Sequence, residues 1–358
     1  MSLTKTSNQV IQTPYKKNFI INGAMDIWQA GTSFTAITTG PIADMCRYGQ
    51  SNDGNMDILR STTVPTIANG ATFEPNYSLN LSPNLADATI TAAQFTLIDT
   101  RVEGYNYRRL KGRTATLSFW VYSNKIGTYC VAFDNSISDR IYITEYTINQ
   151  VNTWEKKNVT VTFNQSGGTE NYTTGVGIRI YFMLAAGTDL HGTANVWNST
   201  GDLVTSNQVN FMDNAANQFY LTMVQLELGS VATDFEYRPI AEELTLCQRY
   251  FEKSYDLTTA PGTSTAVGNC QWLSNYTAQG VYFDNVSFNT RKRIAPTMIF
   301  YSTTGGANRI RNATAGSNIT VNGQPPTGER GYSGPIPTVE SMINGNSYTW
   351  QWTADARL

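Results

Sequence analysis

Residues 114–122 read Thr-Ala-Thr-Leu-Ser-Phe-Trp-Val-Tyr. In an extended chain Leu117, Phe119 and Val121 fall on one side, and Thr116, Ser118, Trp120 and Tyr122 on the other. That period of two is the pattern of a strand, because successive side chains point to opposite faces of a sheet. Similar runs recur at 128–133, 140–146, 157–163, 177–183 and 219–228, separated by polar turns. Many short alternating strands at such spacing predict a two-sheet antiparallel sandwich or jelly roll. The type of polarity agrees. Charged residues are only 15% of the chain, and Thr, Asn, Ser and Gln carry most of the polar surface. Thr and Asn disfavour helices, while Thr and aromatic residues suit strands. The expected fold class is all-β.

One helix is expected, over residues 241–252. Pro239 suits a first turn, and Glu242 and Glu243 favour a helix N-terminus electrostatically. Leu244, Cys247 and Phe251 would share one face and are candidate oligomer-interface residues. The chain then divides into an N-terminal arm (1–16), a jelly-roll domain (17–240), a linker helix (241–252) and a C-terminal β domain (253–358). In the jelly-roll domain, Phe19, Ile21, Met25 and Ile27 alternate around an Asn22-Gly23 turn signal. Strand candidates in the last domain are 271–276, 281–288, 297–301 and 348–352. Arg291-Lys-Arg293 reads as a solvated basic turn.

Several functions are disfavoured. The 25 basic and 27 acidic residues give a net charge of −2, which is wrong for gripping a nucleic-acid backbone. His191 is the one histidine, so chemistry needing two is excluded. Cys46, Cys130, Cys247 and Cys270 have no CxxC spacing and read as buried thiols. No run approaches the ~18 apolar residues of a membrane helix. The first residues lack the apolar core of a signal peptide, which predicts synthesis in a cytosol and no membrane insertion.

Residues 18–29, NFIINGAMDIWQ, followed by Gly31-Thr-Ser-Phe34 and the Ala43-Asp44 pair, resemble the opening of a domain found in bacteriophage tail-fibre and receptor-binding proteins. Residues 110–121 are similar to that family's central strand and to the matching strand of carbohydrate-binding jelly rolls. The most specific stretch is 225–239, QLELGSVATDFEYRP, leading into 242–253, EELTLCQRYFEK. Residues 352–358 resemble the family's C-terminus. The resemblance runs over residues 17–358. It implies a fibre or head or tail spike of a phage or phage-like particle, located in the virion after assembly in the host cytoplasm. It also implies a homotrimer anchored to head or tail proteins through residues 1–16. Long fibres place this module after a shaft, whereas here 16 residues precede it, as in a stubby fibre or a docked spike.

Three functions follow for such a protein. The first is non-enzymatic recognition of a host surface polysaccharide that mediates adsorption. Aromatic rings meet the apolar faces of sugars, and polar side chains meet the hydroxyls. Trp197, in the polar loop after His191, and Trp120 and Tyr122, on the outward side of their strand, are the candidate glycan contacts, with Trp154 beside them. The second is a glycan depolymerase, which needs two carboxylates at a set separation. Asp234 and Glu236 are two apart and could share a strand face, Glu242 and Glu243 point apart on a helix, and His191 lies in no nucleophile-elbow pattern. The third is a purely structural adaptor or decoration protein. No catalytic residue, metal ligand or cofactor is assigned. A structural calcium is conceivable through Asp26, Asp44 and Asp234, but no loop has a dedicated calcium spacing.

Overall fold

The computed structural model describes residues 17–358, apart from 165–166, 200, 275–284, 322 and 338–341. The arm over 1–16, and parts of the strand candidates 271–276 and 281–288, lie outside the described residues. The fold is all-β, as the alternation demands.

Among the described residues, thirteen strands build the sandwich. One sheet runs β1 (Ser33–Ile37), β4 (Asn55–Ser61), β5 (Ser78–Leu85), β13 (Phe219–Leu228), β7 (Thr114–Ser123), β10 (Glu155–Thr162). The facing sheet runs β12 (Trp197–Asn198), β9 (Ile141–Ile148), β8 (Gly127–Asn135), β11 (Val176–Ala186), β6 (Phe95–Glu103), β3 (Cys46–Gln50), β2 (Thr39–Pro41). The neighbours pair antiparallel throughout. Leu81, Leu117, Phe119 and Leu221 from the first sheet meet Ile98, Phe133, Ile180 and Phe182 from the second in one core. Phe119 sits 5.0 Å from both Tyr146 and Phe182, edge-on to each. Each fully buried side chain of this size contributes about 1.5–3 kcal/mol of apolar transfer.

The run 18–29 is not a hairpin of strands. Its asparagines take the backbone hydrogen bonds instead. Asn18 Oδ1 accepts from Ile20 N and Leu226 N, and its Nδ2 donates to Val224 O. Asn22 Oδ1 accepts from Ile27 N, and its Nδ2 donates to Ile27 O and Asp44 O. Side-chain amides that bond nearby backbone compete with a strand ladder, so the segment becomes a strap along β13. Gly23 lies so close to β13 that a Cβ there would stand 2.1 Å from Val224 O.

The helix, Ile240–Gln248, starts on Pro239 with Glu242 and Glu243 in its first turn, but it is shorter than expected. Phe251 belongs instead to β14 (Phe251–Lys253), paired with β22 (Ser347–Asp355). Cys247 and Phe251 are buried within the chain and Leu244 is half-buried. The first two are therefore packed inside the chain itself.

In the C-terminal unit β22 is central. It also pairs with β15 (Cys270–Leu273), β17 (Thr297–Tyr301) and β18 (Arg309–Asn312), and β18 carries β19 (Ser317–Thr320). Among the described residues, β16 (Val286–Ser287), β21 (Gly331–Tyr332) and β20 (Thr327–Gly328) form a separate small sheet in this unit. Tyr348, Trp350 and Trp352 alternate into its core. The basic turn is not solvated throughout. Lys292 is fully buried, ion-paired with buried Glu252, and its ammonium donates to Gln248 O (2.5 Å) and Thr290 O (2.9 Å). Arg293 donates to Thr174 O (2.9 Å) and Arg357 O (2.6 Å), tying this unit to the sandwich. Arg249 pairs with Glu103 of β6 at 2.6 Å for the same purpose.

Candidate ligand-binding cleft

The outer side of the first sheet carries the residues the alternation of β7 turns outward. In register, Trp120 lies between Lys156 of β10 and Thr222 of β13, and Tyr122 faces Tyr220. Trp120, Trp154, Tyr220, Met223 and Ala71 form a second cluster there, with Phe73, Tyr122 and Phe235 packed on it. Tyr122 stands 5.1 Å from Tyr220 and 5.6 Å from Trp154. Met223 reaches this face because β13 bulges between Thr222 and Gln225. Met223 has φ 52, in the left-handed region, so it turns outward while Val224 joins the main core. A bulge re-aims a side chain in just this way.

Two segments build walls on this floor. In the segment between β4 and β5, Phe73 packs against Phe235 at 5.7 Å and Tyr237 at 5.5 Å. In the segment after β13, buried Glu227 accepts from Thr233 N (2.8 Å) and Thr233 Oγ1 (2.6 Å). Gln225 accepts from Glu236 N at 2.7 Å and donates to Asp234 O at 3.2 Å. These bonds fold residues 229–236 back over the sheet.

Between the walls lies a cleft of about 340 Å³, counting the solvent at its mouth, lined by Gly70, Thr72, Ser118, Trp120, Lys156, Met223, Asp234 and Phe235. The Lys156 ammonium donates to Thr233 O at 3.4 Å. The Asp234 carboxylate is exposed and has no hydrogen bond or ion pair among the described residues. The arrangement brings an aromatic floor, an aromatic wall, hydroxyls, one cation and one carboxylate around a small open space. Ligand pockets join an apolar lining to a few placed polar groups in this manner.

The sequence candidates are only partly brought together. Trp120 is 5% exposed and forms the cleft's floor; Tyr122 is half-buried in the adjoining aromatic cluster. Trp197 is elsewhere. It sits in β12 at an edge of the second sheet, packs on Tyr142 at 5.5 Å, and donates its indole N–H to Thr162 O of the first sheet at 2.9 Å. It closes the open edge of the sandwich. Lys156, Asp234 and Phe235 also line the cleft, and nothing local in the sequence marks them as facing one another. A visible signal was present in Thr222-Met-Val224, where two apolar neighbours break the alternation.

The carboxylates considered for catalysis diverge. Both Glu236 oxygens accept backbone amides, from Lys17 at 3.1 Å and Asn18 at 2.8 Å. Glu243 is buried beneath Arg238 at 3.3 Å, and burial raises its pKa against the pull of that cation. Among the described residues, no group of three His, Cys, Asp or Glu is placed to hold a metal. Asp44 is buried on Gln29 (2.7 Å), Asp26 bonds Asn76 (3.2 Å), and Asp234 lies at the cleft. A larger hollow of about 870 Å³ opens beside Ser287, Glu329 and Tyr332.

No protein-family model matches the sequence, and no curated protein matches it. Solved structures with similar arrangements include the enzymatically active domain of tailspike protein 4 of bacteriophage CBA120, at 11% identity and TM-score 0.30. That match covers 59% of this chain and 21% of the tailspike chain. A putative sugar binding protein from Bacteroides thetaiotaomicron matches at 9% identity and TM-score 0.36, covering 60% of this chain and all of that one. A family 11 carbohydrate-binding module of a Clostridium thermocellum cellulase matches at 11% identity and TM-score 0.29, covering 56% and 99%. Likenesses this faint carry no argument about what the chain binds.

Proposed function

We propose that this chain is a non-enzymatic glycan-binding protein that takes a sugar ring in the cleft on the outer side of the first sheet. The observation that carries the reading is the lining itself: Trp120 and Phe235 beside Lys156, Asp234, Ser118 and Thr72. Aromatic surface suits the C–H faces of a sugar, and hydrogen-bonding groups of both kinds suit its hydroxyls. A depolymerase is disfavoured because Asp234 is the cleft's one lining carboxylate, whereas glycoside hydrolysis uses two.

The biological setting is a proposal drawn from the sequence resemblance. The chain would be a fibre or spike of a phage or phage-like particle that meets a host surface polysaccharide. It would be trimeric and virion-located, with residues 1–16 toward head or tail proteins. Repetition of a weak site around a trimer multiplies adhesion without new contacts.

The test is titration of the full chain with a panel of neutral and acidic oligosaccharides, followed by tryptophan fluorescence and calorimetry. Phe235→Ala and Asp234→Ala are each expected to weaken binding about tenfold, the loss of about 1.4 kcal/mol. Saccharide binding that neither variant alters would overturn the cleft as the site. Release of reducing ends from the polysaccharide would overturn the non-enzymatic reading.

A further inference from the structure

We propose that the turn between β6 and β7, with the exposed cations Arg108, Lys111 and Arg113, binds the charged groups of an acidic polysaccharide whose chain runs on into the cleft. The inference rests on the glycan-binding reading and names the class of glycan. The chain as a whole has a net charge of −2, yet Arg108, Arg109, Lys111 and Arg113 fall within six residues. All four are exposed at one end of the sandwich, and Tyr105 beside them is 56% exposed.

The turn is built to hold its shape. A single helical turn, Gly104–Tyr107, sets Tyr107 into the core, where its ring meets Phe163 edge-on at 5.7 Å. Leu110 is fully buried, and its N–H donates to Tyr107 O at 2.7 Å. Gly112, at φ 68, lies in the left-handed region that glycine adopts without strain, and its N–H donates to Phe163 O at 2.6 Å. These anchors fix the backbone from which the charged side chains project.

Few carboxylates meet these charges. Glu170 lies 3.4 Å from Lys111, and it also accepts from the hydroxyls of Tyr107, at 3.0 Å, and Tyr172. Arg109 lies over the Phe19 ring at 5.1 Å. The side chains of Arg108 and Arg113 have no hydrogen bond or ion pair among the described residues. Two guanidiniums thus keep their N–H forks for a ligand, and such forks match carboxylate oxygens two at a time.

What lies between the turn and the cleft favours a saccharide over an acidic protein surface. On the outer side of the first sheet, Thr114 is opposite Thr162, Thr116 opposite Thr160, Ser118 opposite Asn158, and Trp120 opposite Lys156. The paired threonine hydroxyls bond each other at 2.9 and 3.1 Å, so they share that side. Along the edge strand β10, Thr162 and Thr160 are half-buried, and Asn158 and Lys156 are exposed. A row of hydroxyl and amide groups therefore joins the cations to the cleft over about 20 Å of strand. These groups both donate and accept, as sugar hydroxyls require.

The test measures binding of the full chain to immobilised polygalacturonate, to its fully methyl-esterified form and to poly-L-glutamate, at low and high sodium chloride. Esterification removes the charge and keeps the sugar chain. Polygalacturonate is expected to bind at least tenfold more tightly than the ester, with the difference lost at high salt, which screens exposed charges. Arg108→Gln combined with Arg113→Gln is expected to abolish that preference and leave the thermal midpoint unchanged. Arg309→Gln combined with Arg330→Gln removes the same charge from exposed positions on the C-terminal unit and is expected to leave the preference intact. Equal loss in both double variants, or no preference in the unaltered chain, would overturn the inference. Poly-L-glutamate bound as tightly as polygalacturonate would overturn the saccharide and point to an acidic protein surface. Neither Arg108 nor Arg113 lines the cleft. If the charge preference is absent while Phe235→Ala still weakens binding of neutral oligosaccharides, this inference fails and the cleft reading stands; the reverse pattern strikes the cleft and keeps the basic turn.

Discussion

The two outer sides of the sandwich are finished differently. On the second sheet, Leu97, Cys130, Ala132, Ile141, Ile143 and Met183 form an aliphatic patch, and Val204 from the segment after β12 roofs it. The roof is tied down by Cys130 N donating to Gln208 Oε1 at 2.7 Å and by Val209 N donating to Thr128 O at 2.9 Å. On the first sheet the outward residues are Trp120, Tyr122, Tyr220 and Met223. The walls there touch ring against ring and leave a cleft between them. Aliphatic surface has no use for water and is sealed under a roof. Tyr and Trp carry polar edges as well as apolar bodies, so a face built from them can remain partly open. The difference teaches where a ligand can enter: beside the aromatic side, not through the aliphatic one.

The largest expected effect comes from breaking the sealed side. Val204→Asp would put a carboxylate in a fully buried aliphatic contact, and a stability loss of about 3 kcal/mol or more is expected in urea unfolding. A loss below about 1 kcal/mol would mean that the roof lifts easily and the two sides are less different than their packing states.

A smaller effect should separate the two sides by function. Glu227→Gln weakens the bonds that hold Thr233 and so loosens the cleft's wall. It is expected to cost about 1–2 kcal/mol of stability and to lower saccharide affinity several-fold. Thr205→Ala, which removes a tie to Glu145 beneath the other side's roof, is expected to leave saccharide affinity unchanged. Equal effects of the two variants on affinity would erase the functional distinction.

The smallest effect tests the junction that both sides share. Asp44 is wholly buried, and burial raises its pKa from 3.8 to about 6, partly opposed by its bond to Gln29 and by the Arg357 charge. Between those values the folded chain holds a proton that the unfolded chain has lost. Stability from this group is therefore full below pH 3.8 and is lost as pH rises through about 6. Lys253, lowered to about 8 by burial, is charged in both states below pH 7 and adds nothing in that window. Comparing the chain with Asp44→Asn in urea at pH 5 and pH 7 isolates the term. The native chain should lose more stability than the variant across that step; parallel losses would assign the dependence to other groups.

Much of the fold was legible. The alternation of β7 identified the core side, Leu117, Phe119 and Val121, and the outward side, Trp120 and Tyr122. The helix start was legible from Pro239 and the two glutamates. β6 was harder to read, because Thr96, Asp99, Thr100 and Glu103 are buried beside its apolar residues. Asp99 and Glu103 are buried by what the C-terminal unit brings to them, namely Arg101's tie to Leu358 and the Arg249 pair. The stretches 18–29 and 225–239, on which the phage resemblance rests, supply straps and wall anchors. Asn18, Asn22, Gln225, Glu227 and Arg238 hold backbone. Their pattern therefore speaks first to how this chain is braced.

By itself the sequence determined the class of fold and the facing of its clearest strands. A strand's two-residue period is local backbone geometry, and a window of nine residues suffices to display it. Which outward side is sealed, which tryptophan closes an edge, and why Lys292 is buried were decided by segments far apart in the chain. The same holds for the cleft, assembled from residues 70, 72, 118, 120, 156, 223, 234 and 235, and for the meeting of Arg47 and Arg101 with Arg357. Burial and charge depend on what the rest of the chain places over a side chain, and no local period encodes that.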